Sequence, residues 1–217
     1  FKLNKISILF TIIAFLGLIN AINFIDGIDG LSTSMILIAL ISIIVFSNIY
    51  SNYNDFNFIK LFITSLLTFF IFNLNLFKIK KFFLGDAGTV TLGFILGCLF
   101  IYYSQEPIRA IHPVLISWCI TIPIYDLILI TLRRILSNQN PFKPDNLHLH
   151  HRLMFLGFTP IQTLISIILL QIFTVIIGGL IFFKINSFVC LISFFALFFL
   201  YALFIYTLRL IQIKLKK

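Results

Sequence analysis

Seven runs of nearly uninterrupted apolar residues, near 6–22, 31–49, 58–77, 87–103, 111–132, 160–183 and 187–208, constrain this chain more than any other feature. Each approaches the roughly 20 helical residues that cross the hydrocarbon core of a bilayer. The first and fourth are short and are expected to lean on interfacial residues. Barrel strands would alternate in hydrophobicity over about 10 residues, and Ile161–Phe183 does not alternate. Only a helix satisfies its own backbone in lipid without a partner strand. The expected fold is therefore all-α, a polytopic transmembrane helix bundle of about seven spans, forming a single integral membrane domain over 1–217. Composition agrees: 60% of the 217 residues are hydrophobic, 11% are charged and mean hydropathy is +1.11, so there is too little polar surface to cover a body facing water. Cys98, Cys119 and Cys190 lie inside apolar runs without paired spacing and read as small buried hydrophobes.

A formal charge of +9 would suggest nucleic acid in a soluble chain. Here the basic residues fall between apolar runs, so orientation in the membrane explains them and no nucleic-acid partner is expected. With seven crossings, the loops after the first, third and fifth runs share a face with the C-terminus. Eleven of the sixteen Lys and Arg residues lie on that face, which is expected to be cytoplasmic. Five of the seven carboxylates, Asp26, Asp29, Asp86, Asp126 and Asp145, lie on or near it too. A bundle serving only as an anchor has no reason to collect carboxylates at one membrane surface.

Four polar segments carry the chemistry. In the first, Asn20, Asn23 and Asp26 recur every three residues at the end of the first run, so they share one helical face, and Asp29 extends the series. Both aspartates precede glycine, which lets backbone approach a ligand closely. Carboxylates at a membrane boundary are costly and usually functional. In the second, Asp86 stands between Gly85 and Ala87-Gly88 where the fourth run begins, with Thr89 one turn on. Such a carboxylate suits a Mg²⁺ ion that keeps most of its waters, with a helix N-cap as the plain alternative. Lys78, Lys80 and Lys81 just before it read as orientation signals. In the third, Pro141-Phe-Lys-Pro-Asp145 leads to His148, His150, His151 and Arg152. Phosphate binding, metal binding and a solvated loop all remain open for this segment. In the fourth, Asp126 lies inside the fifth run ahead of Arg133 and Arg134, and a structural pairing with a cation is the plain reading.

The run Asn20-x-x-Asn23-x-x-Asp26-Gly-x-Asp29-Gly-Leu31, then Phe83-Leu-Gly-Asp86-Ala-Gly88, then Pro141-Phe-x-Pro-Asp145 leading to His148-x-His150-His151, resembles the polyprenyl-phosphate N-acetylhexosamine-1-phosphate transferases, the WecA-like branch of glycosyltransferase family 4. The likeness covers residues 20 to 153, with Thr89 where serine is more usual. The family's upstream Asp-Asp pair has no counterpart, since no Asp-Asp occurs in the chain. The expectation is therefore a C-terminal two-thirds of a longer protein, with a degenerate, non-catalytic relative as the alternative. A transporter is a further alternative, although its charges would be expected nearer mid-bilayer.

The resemblance implies transfer of HexNAc-1-phosphate from a UDP-N-acetylhexosamine to a polyprenyl phosphate with release of UMP, in the bacterial inner membrane with the site on the cytoplasmic face. It implies catalytic Asp26, Asp29 and Asp86, Mg²⁺ (or Mn²⁺) held by Asp86 and Asp26, and substrate contacts from Asn20, Asn23, His148, His150, His151 and Arg152. A homodimer is compatible with it. Direct displacement is favoured over a two-step route through an aspartyl intermediate.

Overall fold

The computed structural model describes residues 4–77, 80–140 and 147–215, and among these every regular element is a helix. In chain order they are α1 (Asn4–Ile25), α2 (Leu31–Ser51), α3 (Asn57–Asn73), α4 (Gly85–Ser104), α5 (Pro113–Cys119), α6 (Thr121–Leu136), α7 (Leu149–Phe155), α8 (Pro160–Lys184) and α9 (Ser187–Leu215). Five of them, α1, α2, α4, α8 and α9, contain spans long and apolar enough to cross a membrane, and the chain is a multi-pass membrane protein. The fifth run is not one straight helix: α5 and α6 form a broken pair bent by 80°. The third run gives only the 17 residues of α3, whereas the first and fourth runs make helices longer than their apolar stretches indicate.

Burial separates the centre of the bundle from its lipid-facing surface. In α2, 67% of the spanning window is buried, against 22% in both α1 and α9. Leu31, Met35, Ile36, Leu40 and Ile43 of α2 are wholly enclosed, while α9 turns Phe188, Phe195, Phe199 and Leu203 outward. Cys119 and Cys190 are buried as expected, but Cys98 is exposed because its side of α4 faces away from the other helices. Between α1 and α4, Gly93 removes the side chain at the crossing, where a Cβ would stand 3.0 Å from the Cα of Ile19. With no hydrophobic drive between helices in lipid, such small-residue seams supply the close packing. This seam brings the end of α1 beside the start of α4.

The break between α5 and α6 follows from Pro123, which has no N–H to give to the carbonyl of Cys119 four residues back. Gln171, fully buried on α8, repairs the ladder. Its Nε2 donates to Cys119 O at 3.1 Å and to Trp118 O at 3.2 Å, and its Oε1 accepts the Ile122 N–H at 2.9 Å. One side-chain amide thus stands where a helical turn would have been. Gln171→Leu should strand the Ile122 N–H and Cys119 carbonyl in an apolar interior, at about 1–3 kcal/mol each. The expected result is a fall of roughly 5 °C or more in the thermal unfolding midpoint in detergent. An unchanged midpoint would remove Gln171 from this role.

Candidate active site

Helix α1 stops at Ile25, and Asp26–Gly30 turn the chain into α2. Gly30 sits at φ 76° as the residue before α2, a left-handed conformation that favours glycine. Asn73, at the end of α3, fixes this turn: its Oδ1 accepts the Gly30 N–H at 2.6 Å, and its Nδ2 donates to Phe82 O at 2.8 Å. Sequence reasoning missed Asn73, whose partners are 43 residues before it and 9 after it. The Ser32 hydroxyl donates to Asp26 Oδ1 at 2.5 Å. Asn23 accepts a hydrogen bond from Thr89, which also donates to Asp86 O at 3.0 Å, so the Asn-Asp face of α1 is stitched to the first turn of α4. Asn20 is half-buried one turn back, with no side-chain hydrogen bond among the described residues.

Asp86 is not a helix cap. Leu84 occupies the cap position without a side-chain bond, and Asp86 stands exposed in the first turn of α4. The carboxyl of Asp26 is pushed above the usual aspartate range, first by burial, then by the charges of Asp29 and Asp86, against the lowering effect of the Ser32 hydrogen bond. Asp26 therefore senses both of the other carboxylates at one end of the bundle. Lys81 does more than mark orientation, since its ammonium pairs with Asp29. No three His, Cys, Asp or Glu side chains among the described residues converge into a ready-made metal cage. An ion needing only one or two protein oxygens besides its waters nevertheless fits carboxylates whose charges oppose one another, with hard oxygen donors throughout.

The Pro141–Asn146 part of the third segment, with Asp145, lies outside the described residues. The helix that follows, α7, is positioned by Asp126 of α6. The Asp126 carboxylate accepts the Leu149 N–H at 3.2 Å and the Tyr201 hydroxyl of α9 at 3.0 Å, and stands 2.7 Å from His148 Nδ1. Asp126 thus caps α7 from another helix and holds the first histidine of the motif by one ring nitrogen. The structural pairing with a cation becomes a hydrogen-bond hub. Nothing local in the sequence marks it, because its partners lie 22, 23 and 75 residues away.

His150 points into the Asp-Gly turn. A Cβ on Gly27 would fall 2.1 Å from His150 Nε2, so the second residue of the first Asp-Gly pair must be glycine for the imidazole to seat. His150 is 1% exposed, lies parallel to His148 with centroids 5.8 Å apart, and meets His151 at 4.1 Å. Neither of its ring nitrogens has a hydrogen-bond partner among the described residues. Burial first, then His151 and His148, push its pKa down to about 3. The ring is neutral at physiological pH, and both of its nitrogens are enclosed without a hydrogen-bond partner among the described residues.

Arg152 departs from the expected grouping. Its Nε donates to Leu147 O at 2.9 Å and its Nη1 to Gln212 Oε1 on α9 at 3.2 Å, so its guanidinium turns toward α9 rather than toward the aspartates. The structure brings together Asn23, Asp26, Asp29, Asp86 and His150, sets His148 and His151 beside His150, and leaves Arg152 on the other flank of α7.

The depressed pKa of His150 has a sign that can be tested. An unfolded chain takes up this proton below its ordinary value of 6.5, while the folded chain resists down to about 3. Stability is therefore fully present above 6.5 and declines as pH falls below it, by at most about 1.4 kcal/mol per pH unit. Thermal unfolding at pH 7 and pH 5 should show a smaller acid loss for His150→Gln than for the wild type. Equal losses would mean that His150 is not buried neutral.

Residues 1–104 match the model of the family described as glycosyl transferase family 4. The chain is 35% identical over 144 residues to the undecaprenyl-phosphate alpha-N-acetylglucosaminyl 1-phosphate transferase of Pasteurella multocida, an alignment covering 64% of this chain and 40% of that protein. The like-named protein of Escherichia coli K12 is 34% identical over 142 residues, covering 64% and 39%, and that of Yersinia pestis 35% over 117, covering 54% and 32%. The chain spans about two fifths or less of the length of these relatives. The matched residues 1–104 hold both Asp-Gly pairs and Asp86, and it is this part of the chain that is similar to glycosyl transferase family 4.

Proposed function

We propose that this protein transfers HexNAc-1-phosphate from a UDP-N-acetylhexosamine to a polyprenyl phosphate, releasing UMP and starting a lipid-linked glycan at the cytoplasmic face of a bacterial inner membrane. The observation that carries this reading is the seating of His150 on Gly27, which joins an acidic centre (Asp26, Asp29, Asp86) to a wall of imidazoles at one end of the bundle. The relatives' name, undecaprenyl-phosphate alpha-N-acetylglucosaminyl 1-phosphate transferase, supports the acceptor and sugar classes.

In this reaction an oxygen of the acceptor phosphate attacks the phosphorus that bears the sugar. The bond from that phosphorus to the bridging oxygen breaks, and the oxygen leaves on UMP with the electron pair. A phosphate monoester is largely dianionic near neutrality, so it needs positioning and charge neutralisation more than deprotonation. Mg²⁺, or Mn²⁺ in its place, held by Asp86 and Asp26 would supply that neutralisation and stabilise charge on the diphosphate. Asp29 is steadied by Lys81, whose ammonium adds positive charge at the rim. Asn23 locks α1 to α4 through Thr89, while the amide of Asn20 remains for substrate. His150, neutral and unpartnered, serves as donor or acceptor toward the nucleotide sugar, with His151 beside it and His148 held in place by Asp126. Arg152 contributes through the placement of α7 rather than by direct contact.

The test is product formation from labelled UDP-GlcNAc, polyprenyl phosphate and Mg²⁺ in membranes of the native cell carrying the full-length protein. Asp86→Asn should lower turnover at least about a hundredfold with insertion unaffected, as loss of a catalytic metal's anchoring charge does. Activity within a fewfold of wild type would sink the metal-site assignment, and absence of polyprenyl-linked sugar from the wild type would sink the reaction. Orientation has its own check: cysteines placed at Asn140 and Asn186, in a variant lacking the native three, should label from opposite sides. Position 140 should be shielded from an impermeant reagent in intact cells, and ready labelling there would turn the site away from cytoplasmic UDP-sugar.

A further inference from the structure

On the flank of α7 away from Gly27, helices α6, α7 and α9 enclose a cavity of about 400 Å³ lined by Arg133, His151, Arg152, Arg209 and Gln212. Arg152 is the built part of it. This side chain is only 4% exposed, and its guanidinium is held by neutral oxygens, Leu147 O and Gln212 Oε1, while Gln212 Nε2 returns a bond to Arg152 O at 3.3 Å. Burial opposes its charge first, and Arg133 and Arg209 oppose it further, against the attraction of Asp126 and Tyr201. The carboxylate of Asp126 is itself engaged by His148, Leu149 and Tyr201. The buried guanidinium of Arg152, held by neutral oxygens with exposed Arg209 lining the same cavity, favours an anion, and such planar forks match phosphate oxygens.

The apolar side of the cavity distinguishes between sources of that phosphate. A second cavity of about 200 Å³ shares Arg133, Arg152 and Arg209, touches Asp126, whose carboxylate is already engaged, and runs on between α6 and α9 along Leu129, Ile130, Ala202, Ile205 and Tyr206. A soluble diphosphate would leave this aliphatic groove unused. A phospholipid fills both parts, with its phosphate among the arginines and an acyl chain between two membrane helices. Basic pockets between transmembrane helices at a membrane surface are recognised sites for anionic headgroups. We propose that the α6–α7–α9 cavity binds the phosphate headgroup of an anionic bilayer phospholipid, a ligand distinct from the donor and acceptor of the transfer reaction, on the far side of the wall to which His151 belongs. Because Arg152 and His150 share α7, such a lipid would steady the histidine wall from behind.

Native mass spectrometry of the purified protein in detergent, with phosphatidylglycerol or phosphatidylethanolamine added separately, tests this. The wild type should retain phosphatidylglycerol at least about tenfold better than phosphatidylethanolamine, as expected for two or more arginines near one lipid charge. Arg209→Gln, a change at an exposed residue that leaves the packing intact, should remove most of that preference, and Arg209→Lys should restore part of it. Excess UDP or polyprenyl phosphate should not displace the lipid. Equal retention of the two lipids, or an undiminished preference in Arg209→Gln, would overturn the proposal. Displacement by UDP would instead place the cavity in the donor site, and displacement by polyprenyl phosphate would place it in the acceptor site, so either result also overturns it.

Discussion

A membrane helix can be broken only where something else satisfies the backbone it exposes. In this protein that requirement falls chiefly on Gln171, whose amide takes the Ile122 N–H and supplies hydrogens to Trp118 O and Cys119 O, with the Thr121 hydroxyl also donating to Trp118 O. The rest of the arrangement follows from it. Because the chain is redirected by 80° at this point, α6 packs against α1, α8 and α9 and carries Asp126 to the start of α7. A straight helix through the same residues would send Asp126 elsewhere. The kink is part of how the candidate site is assembled.

Two carboxylate environments at this end of the bundle contrast with each other. Asp126 is 3% exposed and spent, its oxygens committed to an imidazole, a backbone N–H and a phenol. Asp26, Asp29 and Asp86 are less enclosed, with the charges of the other two opposing that of Asp26, a hydroxyl on Asp26 and an ammonium on Asp29. The first fixes geometry, and the second group retains capacity to bind a cation. Between them lies His150, buried yet unpartnered. A polar group left unsatisfied in an interior is costly, so its placement against Gly27 is more readily understood as preparation for a ligand than as packing.

The parts of this arrangement legible in the sequence are those encoded locally. Apolar runs announce the helices, the three-residue phase of Asn20, Asn23 and Asp26 announces a shared face, and glycines beside the aspartates announce turns. What stayed hidden is non-local. Gln171 looks like one polar residue in an apolar run, and its partners lie about 50 residues earlier. Asn73 and Lys81 gain their meaning from Gly30 and Asp29, on the far side of a whole helical hairpin. Arg152 follows the histidines directly and by sequence belongs with them, yet the next position on a helix points about 100° away, enough to turn it toward α9. The break at Ile120 was masked because a hydrophobic run reads the same whether straight or bent.

The unequal helix lengths bear on the surrounding lipid. At about 1.5 Å per residue, the 17 residues of α3 reach roughly 26 Å, short of the roughly 30 Å of a typical hydrocarbon core. The 29 residues of α9 reach roughly 44 Å, more than the core needs. A bilayer accommodates short helices by thinning and long ones by letting them tilt or protrude. The bundle therefore offers its surroundings apolar helices of unequal reach, α9 exceeding the depth of a typical core and α3 falling short of it. Acyl-chain length thereby becomes a mechanical variable acting on the bundle, independent of headgroup chemistry.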